Sequence, residues 1–514
     1  MSFAFLSSIT FDLFVDAQLV NINIKEIRST IFFDMSDKIL TIDQGTTSSR
    51  AIIFNISGDI EHVSQEEYPL IYPDNGWVEI DVQILEKSVL KTIDNIPLDD
   101  VSCIGITNQR ETTIVWDRKT GIPIYNAIVW QDRRTANFCE SINEQNIRKK
   151  IKDKTGLLLD PYFSATKLKW ILDNVPEARN KAENGELCFG TVDTYLMYKF
   201  SNGQIFKTDI TNASRTLLFN IHDLEWDDEL IDFFDIPKAM LPEVENSDTH
   251  FGSLELINNL PVKAVLGDQH AALFGQGCLN KGDLKSTYGT GCFLMANIGK
   301  KAIFSDEGLL TTIGFSLDGN ISYAIEGSIY SAGATIQWLR DKLKFFDESY
   351  KSEHYLDSDA NANEVLFIPA LTGLGAPYWN SNIRASFHGI TRNTSKEDLI
   401  TAAFNSITYQ TKDIVDCLSK AGISIKSLNV DGGMVANEIF CKHIATLLDM
   451  NLHIPSNKES TARGVAVMAG INDKLMTKEH VLIQEKLECS PNNKQTEHMI
   501  KDYNRWRDLV KNAL

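Results

Sequence analysis

No run of about 18 consecutive apolar residues occurs in this chain, which excludes a membrane-spanning helix. No C-x-x-C pair links the eight scattered cysteines (Cys103, Cys139, Cys188, Cys278, Cys292, Cys417, Cys441 and Cys489), so neither a zinc site nor a disulfide framework is indicated. A reducing, cytoplasmic compartment is therefore expected. There is no internal repeat, and no proline- or serine-rich linker marks a domain boundary. Basic residues are in the minority: 50 Lys and Arg against 69 Asp and Glu give a net charge of −19, which opposes contact with a nucleic-acid backbone or an anionic membrane. The familiar nucleotide signatures are missing too. No G-x-x-x-x-G-K-[ST] occurs, and Gly289-Thr290-Gly291 lacks the third glycine of a dinucleotide fingerprint.

What remains is a chain of 514 residues, 43% hydrophobic and 23% charged, long enough for two large domains with a cleft between them. Residues 1–34 are apolar only in patches broken by Asp12 and Asp16, and they carry a single arginine, Arg28, so they fit neither a secretory nor a mitochondrial leader. Met35-Ser36-Asp37 reads as a start, and residues 1–37 are expected to be a disordered or artefactual extension. From Lys38 the texture is regular. Residues 39–43 and 50–54 read as a hairpin, 101–107, 112–116, 262–267, 284–288 and 428–431 as strands, and the periodicity of Lys396 to Cys417 as a helix. Mixed elements of this kind imply α/β layers. A first domain over 38–275 and a second over 276–514 are expected.

Since an acidic chain must create positive potential locally to hold phosphate, turns rich in glycine and hydroxyls are the candidates. Asp43-Gln44-Gly45-Thr46-Thr47-Ser48-Ser49-Arg50 places four hydroxyls beside a glycine at a hairpin turn and ends in a guanidinium. Ser286-Thr287-Tyr288-Gly289-Thr290-Gly291 repeats the arrangement after another strand, and Val430-Asp431-Gly432-Gly433 brings a strand into a Gly-Gly turn where backbone can approach a nucleotide. Each alone reads equally well as ordinary turn chemistry. Likewise Trp130 alone reads as a core aromatic, Arg110-Glu111 as a solvated ion pair and Asp268 as a helix cap.

Together, in this order and spacing, the three turns resemble those of the actin, hexokinase and heat-shock-chaperone ATPase superfamily. Within it the chain is similar to the carbohydrate-kinase group typified by glycerol kinases, from about Lys38 onward. The resemblance is carried by DQGTTSSR (43–50), GITNQRETTIVW (105–116), NAIVWQDRRT (126–135), TNASRTLLFNI (211–221), GDQHAALFGQ (267–276), STYGTGCF (286–293), AGATIQWLRD (332–341) and VDGGMVAN (430–437). It implies two ribonuclease-H-like, actin-like domains around a cleft, and ATP-dependent phosphorylation of glycerol with Mg²⁺.

The resemblance also implies roles. Asp268 is the general base. Arg110, Glu111, Trp130, Tyr162, Asp268, Gln269 and Phe293 would form the glycerol pocket, with charged groups for the hydroxyls and aromatics for the carbon edge. Thr46, Thr47, Ser48, Arg50, Thr290 and Gly291 would contact phosphates, and Gly333, Gln337, Gly433 and Asn437 the adenosine end. Asp43 would lie beside Mg²⁺ through water. His270 receives no chemistry. A homodimer or homotetramer is implied. A kinase for another polyol or a ketose, and a chaperone- or actin-type ATP-driven binding protein, are the rival readings. Relatives inhibited by fructose 1,6-bisphosphate carry a glycine-rich loop ending near an arginine shortly before the Gly-Asp-Gln motif; here the stretch 255–262 has neither, and insensitivity is expected.

Overall fold

The computed structural model describes residues 37–356, 364–457, 459–482 and 486–514; of the expected amino-terminal extension, all but Asp37 lies outside these. Two large sheets organise the described chain. The first contains β1 (Lys38–Gln44), β2 (Ser48–Asn55), β3 (Ile60–Glu67), β4 (Val101–Asn108), β5 (Gly252–Leu254) and β6 (Leu260–Gly267), in the order β5-β6-β4-β1-β2-β3. β1 pairs antiparallel with β2 and parallel with β4, and β6 runs parallel to β4. Ile39, Leu40 and Ile42 of β1 are fully buried, as expected for a central strand covered on both faces.

The second sheet repeats the central pairing of the first. Its strands are β7 (Asp283–Tyr288), β8 (Cys292–Gly299), β9 (Leu310–Leu317), β10 (Asn320–Ile329), β11 (Ser427–Asp431), β12 (Leu452–Pro455) and β13 (Lys486–Cys489), in the order β9-β10-β8-β7-β11-β12-β13. Again a first strand pairs antiparallel with the next in sequence (β7 with β8) and parallel with a later one (β7 with β11). Two halves of like topology match the architecture that the resemblance implies.

Two helices lie between the sheets: α1 (Asp268–Gly275), which continues directly from β6, and a later one over Ser460–Asn472. They share a core with Ile39, Ile52, Cys103 and Leu266 of the first sheet and Met295, Phe315 and Ala324 of the second. The longest described helix, Lys396–Lys420, starts with a capping box in which Ser395 and Asp398 each accept the other's backbone N–H. Among the described residues, no helix is long and apolar enough to cross a membrane.

Candidate active site

Register places the chemistry at one end of the first sheet. Gln44 on β1 and Gly267 on β6 both stand opposite Asn108 of the intervening β4, so the segments after all three strands emerge side by side. Asp43, Arg110-Glu111 and Asp268 thus meet at the carboxyl ends of parallel strands, where α/β sheets open a crevice. From the opposite sheet, the β7–β8 turn contributes Thr290 and Gly291, β8 contributes Phe293, and the turn after β11 contributes Gly433.

One half of the crevice brings together the whole set that the resemblance implies for glycerol. Arg110 Nε lies 3.2 Å from Asp268 Oδ1, and Arg110 Nη2 lies 3.5 Å from the Tyr162 hydroxyl. Trp130 sits edge-on to Tyr162 and Phe293, with ring centroids 5.7 and 6.0 Å away, and is half-buried. Gln269 accepts a short hydrogen bond from buried Lys285. Asp268 opens α1, but the cap is Gly267; the Asp268 carboxylate instead accepts the next N–H, from Gln269, at 2.6 Å. Its side chain retains 30% exposure at the floor of the crevice. Burial there raises the Asp268 pKa, and the Arg110 guanidinium pulls it back part of the way. Gly267 is required because a Cβ would stand 2.7 Å from Arg110 Cγ.

Arg110 and Glu111 are not a solvated pair: both are buried. Glu111 has φ 61°, a left-handed conformation rare outside glycine and costing on the order of 1 kcal/mol. Its carbonyl is held by the hydroxyls of Thr113, at 3.1 Å, and Ser164, at 3.0 Å. Tyr162 is fixed from behind by Lys167, whose ammonium donates to the carbonyls of Pro161, Tyr162 and Phe163 at 2.9, 2.6 and 2.9 Å. Burial lowers the Lys167 pKa to about 7. His270 is fully buried behind the site, and burial holds its pKa well below the ordinary value, so it stays neutral.

The phosphate end is built on the β1–β2 turn. Gly45 N–H donates to the Ser48 carbonyl at 2.9 Å, and Gln109 Nε2 donates to the Gly45 carbonyl at 3.0 Å, with the Tyr68 hydroxyl on the same oxygen. Thr47 is exposed, and Thr46 and Ser48 are half-buried. Thr46 Oγ1 accepts from Trp130 Nε1 at 3.0 Å, tying this turn to the aromatic wall. Arg50 points toward the other half of the chain, where Nη1 pairs with Glu459 at 2.8 Å.

Burial lifts the Asp43 pKa to about 7, with Arg50 opposing and Glu459 and Asp268 adding to the rise. Such a carboxylate lacks full countercharge from the protein and suits a hard cation that keeps its water. Among the described residues, no cluster of three or more His, Cys, Asp or Glu could hold a metal by itself.

A separate cavity of about 360 Å³ gathers Thr290, Gly333, Gln337, Gly433 and Asn437. The helix Gly333–Asp341 begins against the β7–β8 turn, with Gly333 N–H and Ala334 N–H donating to the carbonyls of Gly289 and Thr290, both at 2.9 Å. A Cβ on Gly333 would meet Gly289 O at 2.5 Å. A Cβ on Gly291 would stand 2.9 Å from Ile329 O. Gly432 has φ 94°, and a short 3₁₀ turn over Gly433–Ala436 precedes the helix Glu438–Leu448. Asn437 caps that helix by accepting from Phe440 N–H at 2.9 Å, while its buried Nδ2 has no partner among the described residues. An unpaired buried donor in a cavity fits a ligand acceptor.

Sequence reasoning missed Gln44, Tyr68 and Gln109 beneath the phosphate turn, Lys167 behind Tyr162, Lys285 beside Gln269, and the buried pair Arg215 and Glu326. The last two carried a signal: each is a lone charge inside an otherwise uncharged stretch.

Two like α/β halves, a cleft at the carboxyl ends of their parallel strands and turns aimed at phosphate define a two-domain kinase of the actin-like ATPase type. The chain belongs to the FGGY family of carbohydrate kinases: the description of that family's N-terminal domain matches residues 38–275 and that of its C-terminal domain residues 284–472. It is 51% identical over 452 residues to the glycerol kinase of Bacillus velezensis, covering 85% of this chain and 90% of the relative. It is 46% identical over 499 residues to that of Bacillus licheniformis, covering 93% and 99%. The crystal structure of Plasmodium falciparum glycerol kinase with ADP superposes with a TM-score of 0.85 at 33% identity, covering 93% of this chain and 98% of that one.

Proposed function

We propose that this chain is an ATP-dependent glycerol kinase, transferring the γ-phosphoryl group of ATP to a terminal hydroxyl of glycerol to give ADP and sn-glycerol 3-phosphate. The observation that carries the reading is Asp268 at 3.2 Å from Arg110, on the floor of a recess walled by Trp130, Tyr162 and Phe293 and open toward the phosphate turns. Phosphoryl transfer asks for a positioned nucleophile, neutralised charge and a base for the hydroxyl proton. Asp268 takes that proton. Arg110 and Glu111 serve as donor and acceptor for the hydroxyls, joined by Tyr162 and Gln269, and the rings cover the carbon edge. Thr46, Thr47, Ser48, Arg50, Thr290 and Gly291 are assigned to the phosphates, and Gly333, Gln337, Gly433 and Asn437 to adenosine.

Mg²⁺, which would neutralise charge on the phosphate oxygens, is assigned to Asp43 through water. Domain units of 38–275 and 276–514 closing on each other would keep water from the phosphoryl group. A cytoplasmic setting is supported by the eight free cysteines. A homodimer or homotetramer rests on the resemblance alone. The test is a coupled ADP-release assay across glycerol, dihydroxyacetone, xylulose and ribulose. Turnover highest with glycerol supports the reading; preference for a ketose, or ATPase activity indifferent to any acceptor, overturns it.

A further inference from the structure

Behind the recess lies a buried chain of charges that crosses from one half of the molecule to the other. Glu326, on β10 of the second sheet, is fully buried and accepts from Arg110 Nη1 at 2.5 Å with one oxygen and from Arg215 Nη2 at 2.9 Å with the other. Arg215, also fully buried, donates from Nε to Glu111 Oε1 at 2.6 Å. Its guanidinium carbon stands 5.7 Å from the Tyr162 ring centroid and 5.3 Å from that of Phe163. The order is therefore Asp268–Arg110–Glu326–Arg215–Glu111, with Arg110 Nε and Glu111 Oε1 a further 3.9 Å apart.

We infer that Arg215 and Glu326 are positioning residues for the polyol pocket, holding Arg110 and Glu111 in their working orientation and making that orientation depend on both halves of the chain. The physical grounds are threefold. A guanidinium on a flexible stem has several partners open to it, and Glu326 engages the Nη1 end of Arg110 so that Nε is left facing Asp268. Burial raises the Glu111 pKa, and Arg110 and then Arg215 oppose the rise, Arg215 with a direct hydrogen bond that also fixes which oxygen faces it. Glu326 comes from the opposite sheet, so a movement of the halves that withdrew it would release Arg110 and Arg215 together. This inference rests on the polyol-kinase reading above and extends it to residues outside the pocket lining.

The test uses the full chain. The parent is first assayed across the acceptor panel, so failure of the polyol reading is seen there, and the experiment then proceeds on the acceptor that is turned over fastest. Glu326→Gln keeps the volume but presents an amide N–H₂ to a guanidinium. It is expected to raise KM for glycerol about 10- to 100-fold, the effect of one lost buried charge-assisted hydrogen bond, with KM for ATP within about twofold of the parent. Arg215→Lys, which keeps the charge but not the fork, is expected to show the same acceptor-selective rise to a smaller extent, and it serves alone should Glu326→Gln fail to accumulate as folded protein. A merely structural contribution would lower melting temperature and move both KM values together, or neither. Folded variants with parental KM for glycerol, or with KM for ATP rising in the same proportion, overturn the inference.

Discussion

At the scale of single residues, the environment of each carboxylate decides what it can do. Asp268 is raised by burial, and the Arg110 guanidinium opposes that rise. Asp268→Asn is expected to lower kcat about 10²–10⁴-fold with unchanged melting, since the carboxylate's backbone contact to Gln269 N–H can be made by an amide oxygen. A variant with native stability and near-parental turnover would remove Asp268 from the chemistry. Asp193 is different: it is fully buried, hydrogen-bonded by Thr191 at 2.5 Å and Thr208 at 2.7 Å, and raised to about 7 by burial and then by the charge of Asp209. A carboxyl raised on folding binds its proton more tightly in the folded state, so its contribution to stability is present at low pH and is lost as pH rises from about 4 to about 7. Asn cannot ionise. The melting temperature of Asp193→Asn relative to the parent should therefore move in the variant's favour between pH 5 and 8, read by thermal unfolding in matched buffers; a difference that shrinks over that interval contradicts the assigned titration.

At the scale of elements, most strands were legible because each is an apolar run bounded by turn residues. The hairpin at 39–54 and the strands ending at Asn108, Gly267, Tyr288 and Asp431 all lie where their runs indicated. The run at 112–116 becomes a continuous strand only from Ile114, with Thr113 bridging to Ile128, because the chain turns sharply through Glu111 at φ 61°, and that turn is what aims Arg110 and Glu111. Arg215 and Glu326 were not legible as a pair: they are 111 positions apart and meet only through tertiary packing, which no local pattern encodes.

The stretch before the Gly-Asp-Gln motif bears out its own composition. Residues 255–259 form a tight turn with φ of 50° at Asn258 and 56° at Asn259, and the N–H groups of Leu256, Ile257 and Leu260 are spent on the carbonyls of Phe200, Leu254 and Ile257. The Glu255 carboxylate takes hydrogen bonds from Asn202 and Gln204, Lys263 is paired with Asp473 at 2.9 Å, and the adjacent hollow is lined by Asp94 and Asp99. A bisphosphate would find few donors and several like charges there. Fructose 1,6-bisphosphate, titrated into the kinase assay at low ionic strength, is expected to leave activity unchanged; saturable inhibition below millimolar concentration would point to donors elsewhere.

At the scale of the whole molecule, the two sheets relate through the two helices between them, α1 and Ser460–Asn472, and these touch backbone to backbone. A Cβ on Gly464 would stand 2.0 Å from the Ala271 carbonyl oxygen, and one on Gly275 would stand 2.1 Å from that of Ser460. Neither neighbour is a flexible side-chain end, so a methyl at either position must push the helices apart. α1 begins with Asp268, and the other helix also packs on β1, β4 and β6, so the displacement would reach the ends of the strands that carry Asp43 and Arg110. Phe293, Lys285 and Glu326 face those groups from the second sheet and would not move with them. Gly464→Ala is accordingly expected to destabilise by about 1–3 kcal/mol, the range for overpacking a close-packed interior, and to lower kcat/KM for glycerol by more than the fraction of protein unfolded at the assay temperature. Calorimetric melting measured alongside kinetics on the folded fraction separates the two effects. If activity per folded molecule stayed at the parental value, the spacing of the two helices would not be what sets the register of the halves.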